Sequence, residues 1–207
     1  LHLCNKNMVK MDTNNDDSSK AKHKLLAEVR MAAKYEGDSL KHYSEKLNLT
    51  YSDSRSQLCT ELARSFADIG DIVRGRDLYS GNNKEKKQRK KLDENLKDIF
   101  GDIYKELTSS RNGKNVKTLQ ARYNDESGNY YQLREDWWNA NRQQVWKAIT
   151  CDADTGNAYF RPTCNSGDKK GPSQANHYCR CGNDQPGNDK ANVDPPTYFD
   201  YVPQYLR

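Results

Sequence analysis

Four of the chain's six cysteines fall within the 31 residues from Cys151 to Cys181, a stretch rich in glycine and asparagine and empty of apolar periodicity. Such a segment cannot bury a core of its own, so cross-links must hold it, and that limits what the chain can fold into. Cys4, Cys59, Cys151, Cys164, Cys179 and Cys181 form an even set, and their spacing selects no pairing. Disulfides in an oxidising, extracellular setting are the favoured reading. A zinc site is the competitor, with Cys164, His177, Cys179 and Cys181 as ligands. Against it, Cys179 and Cys181 are separated by one residue, whereas common zinc knuckles separate their paired cysteines by two to four.

The rest of the chain is polar, at 34% apolar residues against ~45–50% in ordinary globular domains. Its 13 tyrosines and 3 tryptophans must therefore supply much of the buried surface. Helical periodicity begins at Ala21, with Leu25, Leu26, Val29, Ala32 and Ala33 on one face. Gly37 reads as a helix stop and Asp38 as the N-cap of a second helix carrying Leu40, Tyr43 and Leu47. Asp53 or Ser54 would cap a third helix that runs through Leu58, Leu62, Phe66, Ile69 and Val73 to end near Gly75.

After a loop at 80–83, Leu92, Leu96, Ile99, Phe100, Ile103 and Leu107 make a clear helical seam. A loop at 109–115, a short amphipathic piece ending at Tyr123 and a turn from Asp125 to Gly128 follow. A second strong helix then carries Tyr130, Leu133, Trp137, Trp138, Val145, Trp146 and Ile149. Periodicity stops at Cys151, and 196–207 either begins another helix or packs as an extended tail. The pattern predicts a mostly α fold: a disulfide-stapled helical bundle with long irregular loops, without repeats or a convincing strand.

The net charge is only +5, which argues against a general nucleic-acid binder, yet residues 84–91 read KEKKQRKK. This run sits at the N-terminal end of the 92–107 seam, where the helix macrodipole disfavours cations by ~0.3–1 kcal/mol each. It is the solvated start of a helix, a frayed loop, or a feature retained for a partner. In an extracellular chain the fitting polyanion is a sulfated glycan, bound by Lys84, Lys86, Lys87, Arg89, Lys90 and Lys91, with Lys114 and Lys117 as further contributors.

Catalytic motifs are unsupported. Asp154-Thr155-Gly156 lacks the second carboxylate loop of an aspartic protease, and as an EF-hand its closing position is Thr163 where a glutamate should stand. The four histidines are scattered, and no phosphate-cradling loop appears. No catalytic residue, metal or cofactor is expected. Asn48-Leu49-Thr50 fits a glycosylation sequon, a weak hint. No run could span a bilayer, no signal peptide is present, and the opening LHLCNKN suggests a piece of something longer.

In ADIGDIVRGRDLY, at 67–79, Asp68, Asp71, Arg74, Arg76 and Asp77 interleave with apolar residues. These charges either pair on a solvated helix end or form a buried polar network that fixes how helices meet.

That block, extended as ARSFADIGDIVRGRDLY at 63–79, joins LREDWWNANRQQVWKAITC at 133–151, HYCRCG at 177–182 and PTYFDYVPQYLR at 196–207. Together they resemble a Duffy-binding-like domain of the alpha class, which stands at the head of the malaria parasite's var-encoded erythrocyte membrane protein 1 adhesins. LHLCNKNM resembles the family's opening cysteine motif with its upstream half removed. The resemblance implies a helical domain of three disulfide-bonded subdomains: the latter part of the first at 1–80, the second with its cysteine-rich loop at 81–207, and the third absent.

It further implies cell adhesion, as part of a variant surface antigen on the extracellular face of the infected erythrocyte membrane. Rosetting or cytoadherence would proceed through heparan sulfate, blood-group sugars, complement receptor one or another host receptor. Antibodies would be further partners, and membrane anchoring would come only through parts of the full protein outside this chain. The alternative is a scaffold and antigen-display domain whose receptor contact lies elsewhere. On this resemblance Asp68, Asp71, Arg74, Arg76 and Asp77 are a structural polar network, and KEKKQRKK falls in a variable surface segment.

Overall fold

The computed structural model describes residues 21–50, 57–78, 81–109, 115–164, 172–175 and 177–207, with the backbone alone at 47–50. Cys4, Asp53, Ser54 and Lys114 lie outside the described residues, as do the side chains of the Asn48 sequon. The elements are α1 (Ala21–Thr50), α2 (Leu58–Arg74), α3 (Asn83–Thr108), α4 (Val116–Tyr123) and α5 (Tyr131–Ile149), then two 3-10 turns, Phe199–Tyr201 and Gln204–Leu206. Among the described residues β-structure is confined to isolated bridges, such as Cys164 with Ser173. Among them, too, no helix is long and apolar enough to cross a membrane.

By contacts the chain divides into two compact units. Among the described residues, one joins those within 30–70 to those within 142–207, and the other joins 21–29 to those within 71–141.

In the first unit, Gly37 corrects the sequence reading. It neither stops a helix nor precedes a new N-cap at Asp38, because α1 runs unbroken through both. A Cβ at Gly37 would lie 2.0 Å from the Ile149 carbonyl oxygen, so this glycine permits a close backbone approach to the end of α5. Around that contact, Phe66 packs edge-on to Trp146 with ring centroids 5.2 Å apart. The indole of Trp146 donates to the Cys179 carbonyl at 3.1 Å.

Two disulfides hold the irregular segment. Cys59–Cys179 ties it to α2 across 120 residues of sequence, and Cys164–Cys181 closes it on itself. Three of the four ligands of the alternative zinc site are therefore consumed in disulfides. Cys151 is a free thiol that donates to Asp152 at 3.0 Å; burial first, then that carboxylate, raises its pKa to about 11. Between the bridged cysteines, buried Arg180 donates to the Lys147 carbonyl and the Thr150 hydroxyl, each at 2.8 Å, closing the C-terminal end of α5.

The tail at 196–207 does not begin an α-helix; it packs as a segment with two 3-10 turns. Buried Arg142 grips Asp200 with two bonds of 2.8 and 2.9 Å and also donates to the Thr197 carbonyl. Burial opposes the Arg142 charge, but the Asp200 carboxylate prevails and the guanidinium pKa is raised. Arg207 reaches Asp68 at 3.0 Å.

In the second unit the periodic seam is buried as far as Ile103, while Leu107 at its end is only half-buried. Leu92, Leu96, Ile99, Phe100 and Ile103 are buried on α3, and Phe100 meets Trp137 of α5 edge-on at 6.1 Å. Leu133, Trp137 and Trp138 bury the facing side of α5. The turn closing at Gly128 is present, its amide bonded to the Asp125 carbonyl. The short helix α4 buries no side chain fully. It is clasped instead through Asp136, which accepts from the Arg122 Nε and the Tyr123 hydroxyl, both at 2.8 Å.

Candidate functional site

The basic run is helix, not frayed loop. Asn82 caps α3 by accepting from the amides of Lys84 and Glu85 at 3.0 Å, while the Glu85 carboxylate takes the Asn82 amide at 2.9 Å. This reciprocal capping box stabilises a helix start by ~0.5–2 kcal/mol, enough to offset part of the unfavourable dipole that the lysines meet. The one anion of KEKKQRKK is thus the residue that makes its cations possible as an ordered array.

Helical geometry sorts those cations. At 3.6 residues per turn, Lys86, Lys90, Lys87, Lys91 and Lys84 fan over an arc of about 160° opposite the apolar seam. All five are exposed. The sixth cation faces the other way: Arg89 is half-buried and paired with Asp77 at 3.1 Å. Along the ridge Lys90 reaches Glu94 at 3.8 Å, both side chains well exposed, a pairing of little energetic weight. Lys117 is exposed on α4, a separate element.

Behind the ridge lies an arginine-built support. Arg74, 1% exposed, pairs with Asp71 at 3.0 Å and with Glu135 at 3.3 Å, and Glu135 also takes Arg76 at 2.8 Å. The structure thereby joins Arg74 and Arg76 through Glu135, with Asp71 attached through Arg74. Asp77 turns to Arg89, and Asp68 is bonded to Arg207 instead.

The central residue of this region went unread in the sequence. Arg134 is fully buried and donates to the Val73 carbonyl at 2.6 Å, the Ile72 carbonyl at 3.0 Å and Asp93 at 3.1 Å. One guanidinium thereby caps the C-terminal end of α2 and holds α3 by its third turn. Burial is the largest influence on its pKa and pulls it below the ordinary value. The signal was available: Arg134 stands three and four residues before Trp137 and Trp138, on the face that α5 buries.

A family model for the Duffy binding domain matches residues 1–207, the whole chain. The chain belongs to the Duffy binding domain family. Its fold is shared with solved domains of PfEMP1. The NTS-DBL1(alpha-1) domain of the Plasmodium falciparum varO strain is 36% identical, at a TM-score of 0.69 over 99% of this chain and 40% of that one. The NTS-DBL1-alpha and CIDR-gamma double domain of the same strain is 35% identical, at a TM-score of 0.70 over 99% of this chain and 25% of that one. The ICAM-1-binding DBLbeta domain of IT4var13 PfEMP1 is 30% identical, at a TM-score of 0.65 over 100% of this chain and 39% of that one. This Duffy binding domain therefore spans well under half of the solved chains it matches. No curated protein sequence matches it significantly. The mostly helical, disulfide-stapled fold read from the sequence is the fold of these relatives, and the alpha-class resemblance agrees with its likeness to the two varO domains.

Proposed function

We propose that this chain is an adhesion module of a variant surface antigen, displayed on the extracellular face of infected erythrocytes and binding sulfated glycans such as heparan sulfate through Lys84, Lys86, Lys87, Lys90 and Lys91. The observation that carries this reading is the ridge itself: five exposed lysines held in fixed register by a capped helix, against the dipole's preference. A run kept only for solubility needs no such order. Neutralising several sulfates from one ordered helix face releases counterions and gives steeply salt-dependent attachment. Arg89 leaves the binding set because it is engaged by Asp77.

Protein receptors form the second part of the proposal. A related PfEMP1 DBLbeta domain, 34% identical over 73% of this chain, is solved bound to ICAM-1, so a host receptor of that kind is a candidate beside complement receptor one and blood-group sugars. Rosetting or cytoadherence would follow from either class of contact, and antibodies would meet the same exposed surface. The alternative, a scaffold and antigen-display domain, is favoured by the number of arginines engaged internally: Arg74, Arg134, Arg142 and Arg180 are all buried.

Beads coated with the chain decide between these readings. They should adhere to cells displaying heparan sulfate and detach, or fail to bind, after heparinase treatment. Adhesion that survives the treatment points to a protein receptor, and no adhesion at all favours the scaffold.

A further inference from the structure

Beside the ridge, a cleft of about 220 Å³ opens between the end of α2 and the start of α3. Ile72, Leu92 and Leu96 give it an apolar lining, and Asp77 and Asp93 bring carboxylates to it. Lys90 belongs both to the cleft and to the ridge, so the two are continuous. Arg89 lines the cleft as well and pairs with Asp77, and Arg134 pairs with Asp93, so the cleft is close to charge-balanced and adds little to the attraction of a bare polyanion. Carboxylates are, however, good acceptors for hydroxyl groups, and apolar side chains suit the C–H faces of a ring.

From this juxtaposition we propose that the cleft seats a single sugar unit of a sulfated glycan and discriminates it from polyanions without hydroxyls. The inference rests on the glycan reading of the ridge and adds its specificity. In the bound state ring hydroxyls donate to Asp77 and Asp93, while sulfates point outward to Lys90 and its neighbours. Arg89, within the cleft lining, and Arg134, outside it, hold the two carboxylates in place at 3.1 Å each. The cleft is small beside the ~300–1,000 Å³ of ordinary ligand pockets, which fits one ring inserted from a chain that lies mainly on the ridge.

The test compares a heparin tetrasaccharide with an inorganic polyphosphate of matched charge, by calorimetry at one salt concentration. The chain should prefer the tetrasaccharide by about tenfold or more. Asp77→Asn should collapse that ratio toward one, weakening the tetrasaccharide and strengthening polyphosphate. Equal affinity of the wild-type chain for both probes overturns the cleft proposal while leaving the ridge intact. Binding of neither probe overturns the ridge reading and the cleft with it. A preference that persists in a folded Asp77→Asn variant, or in Asp93→Asn should the first fail to fold, belongs to the ridge and overturns the cleft proposal.

Discussion

Gly75 turns at a φ of +71° against the Arg134 guanidinium, so close that a Cβ there would stand 2.9 Å from Arg134 Cζ. The positive φ ends α2, and the missing side chain admits the arginine that satisfies its last carbonyls. Gly75→Ala therefore combines backbone strain with displacement of a buried charge and should destabilise the chain by ~1–3 kcal/mol. Arg134→Met should cost a similar ~1–3 kcal/mol through unmet polar groups. Urea midpoints that shift at constant slope would show both; an unchanged midpoint for either would remove Arg134 from the centre of the support.

Gly37→Ala should be worse. The obstacle at 2.0 Å is the Ile149 backbone oxygen, which cannot swing aside as a guanidinium can. A loss of about 3 kcal/mol or more is expected, since overpacking must here be relieved by moving a helix. Thermal unfolding of the two glycine variants side by side checks the order.

Two aspartate partners of arginine make a controlled contrast. Asp200 is buried with Arg142, and Asp200→Asn should cost ~3–5 kcal/mol by leaving that arginine without its counter-charge. Asp68, whose side chain is 44% exposed, bonds Arg207, whose side chain is 4% exposed but also held by the Val202 carbonyl, and Asp68→Asn should cost less, about 1–3 kcal/mol. Equal effects would mean that burial is not what gives these pairs their weight.

Acid should loosen α4 before α3. Asp125 is held below its ordinary pKa, first by the Ser127 hydroxyl and then by backbone amides. At Asp136 burial works in the opposite direction, but bonds from Arg122, Tyr123 and Gln132 prevail and lower the pKa. Depressed carboxylates stabilise above their unfolded value of about 3.9, and that contribution is lost as pH falls through the folded value. Amide exchange over 116–130, corrected for its intrinsic pH dependence, should accelerate ahead of α3 as pH falls below about 4. Uniform exchange across both regions would contradict the clasp.

What the sequence showed and what it hid follow from how each interaction is written in it. The α3 and α5 seams were legible because Leu92 to Ile103 and Leu133 to Ile149 repeat with the helix period. Gly37 was not, because one letter serves both for a helix stop and for a close approach, and only the position of Ile149 separates the two. Arg134 was hidden among the charges of LRED, although Trp137 and Trp138 mark its face as buried. The capping box of Asn82 and Glu85 is written three residues apart, but its single acid stands among the six cations of a basic run that argues against a helix start. The pairing of Cys59 with Cys179, 120 residues away, has no local signature at all.

The most direct measurement is retention on immobilised heparin across a salt gradient, comparing the wild-type chain with a variant in which Lys84, Lys86, Lys87, Lys90 and Lys91 are glutamate and Arg89 is kept. The account predicts late elution of the wild type and flow-through of the variant, both folded by circular dichroism. Elution of the two together would contradict it and leave the lysines of α3 as a solvated helix face.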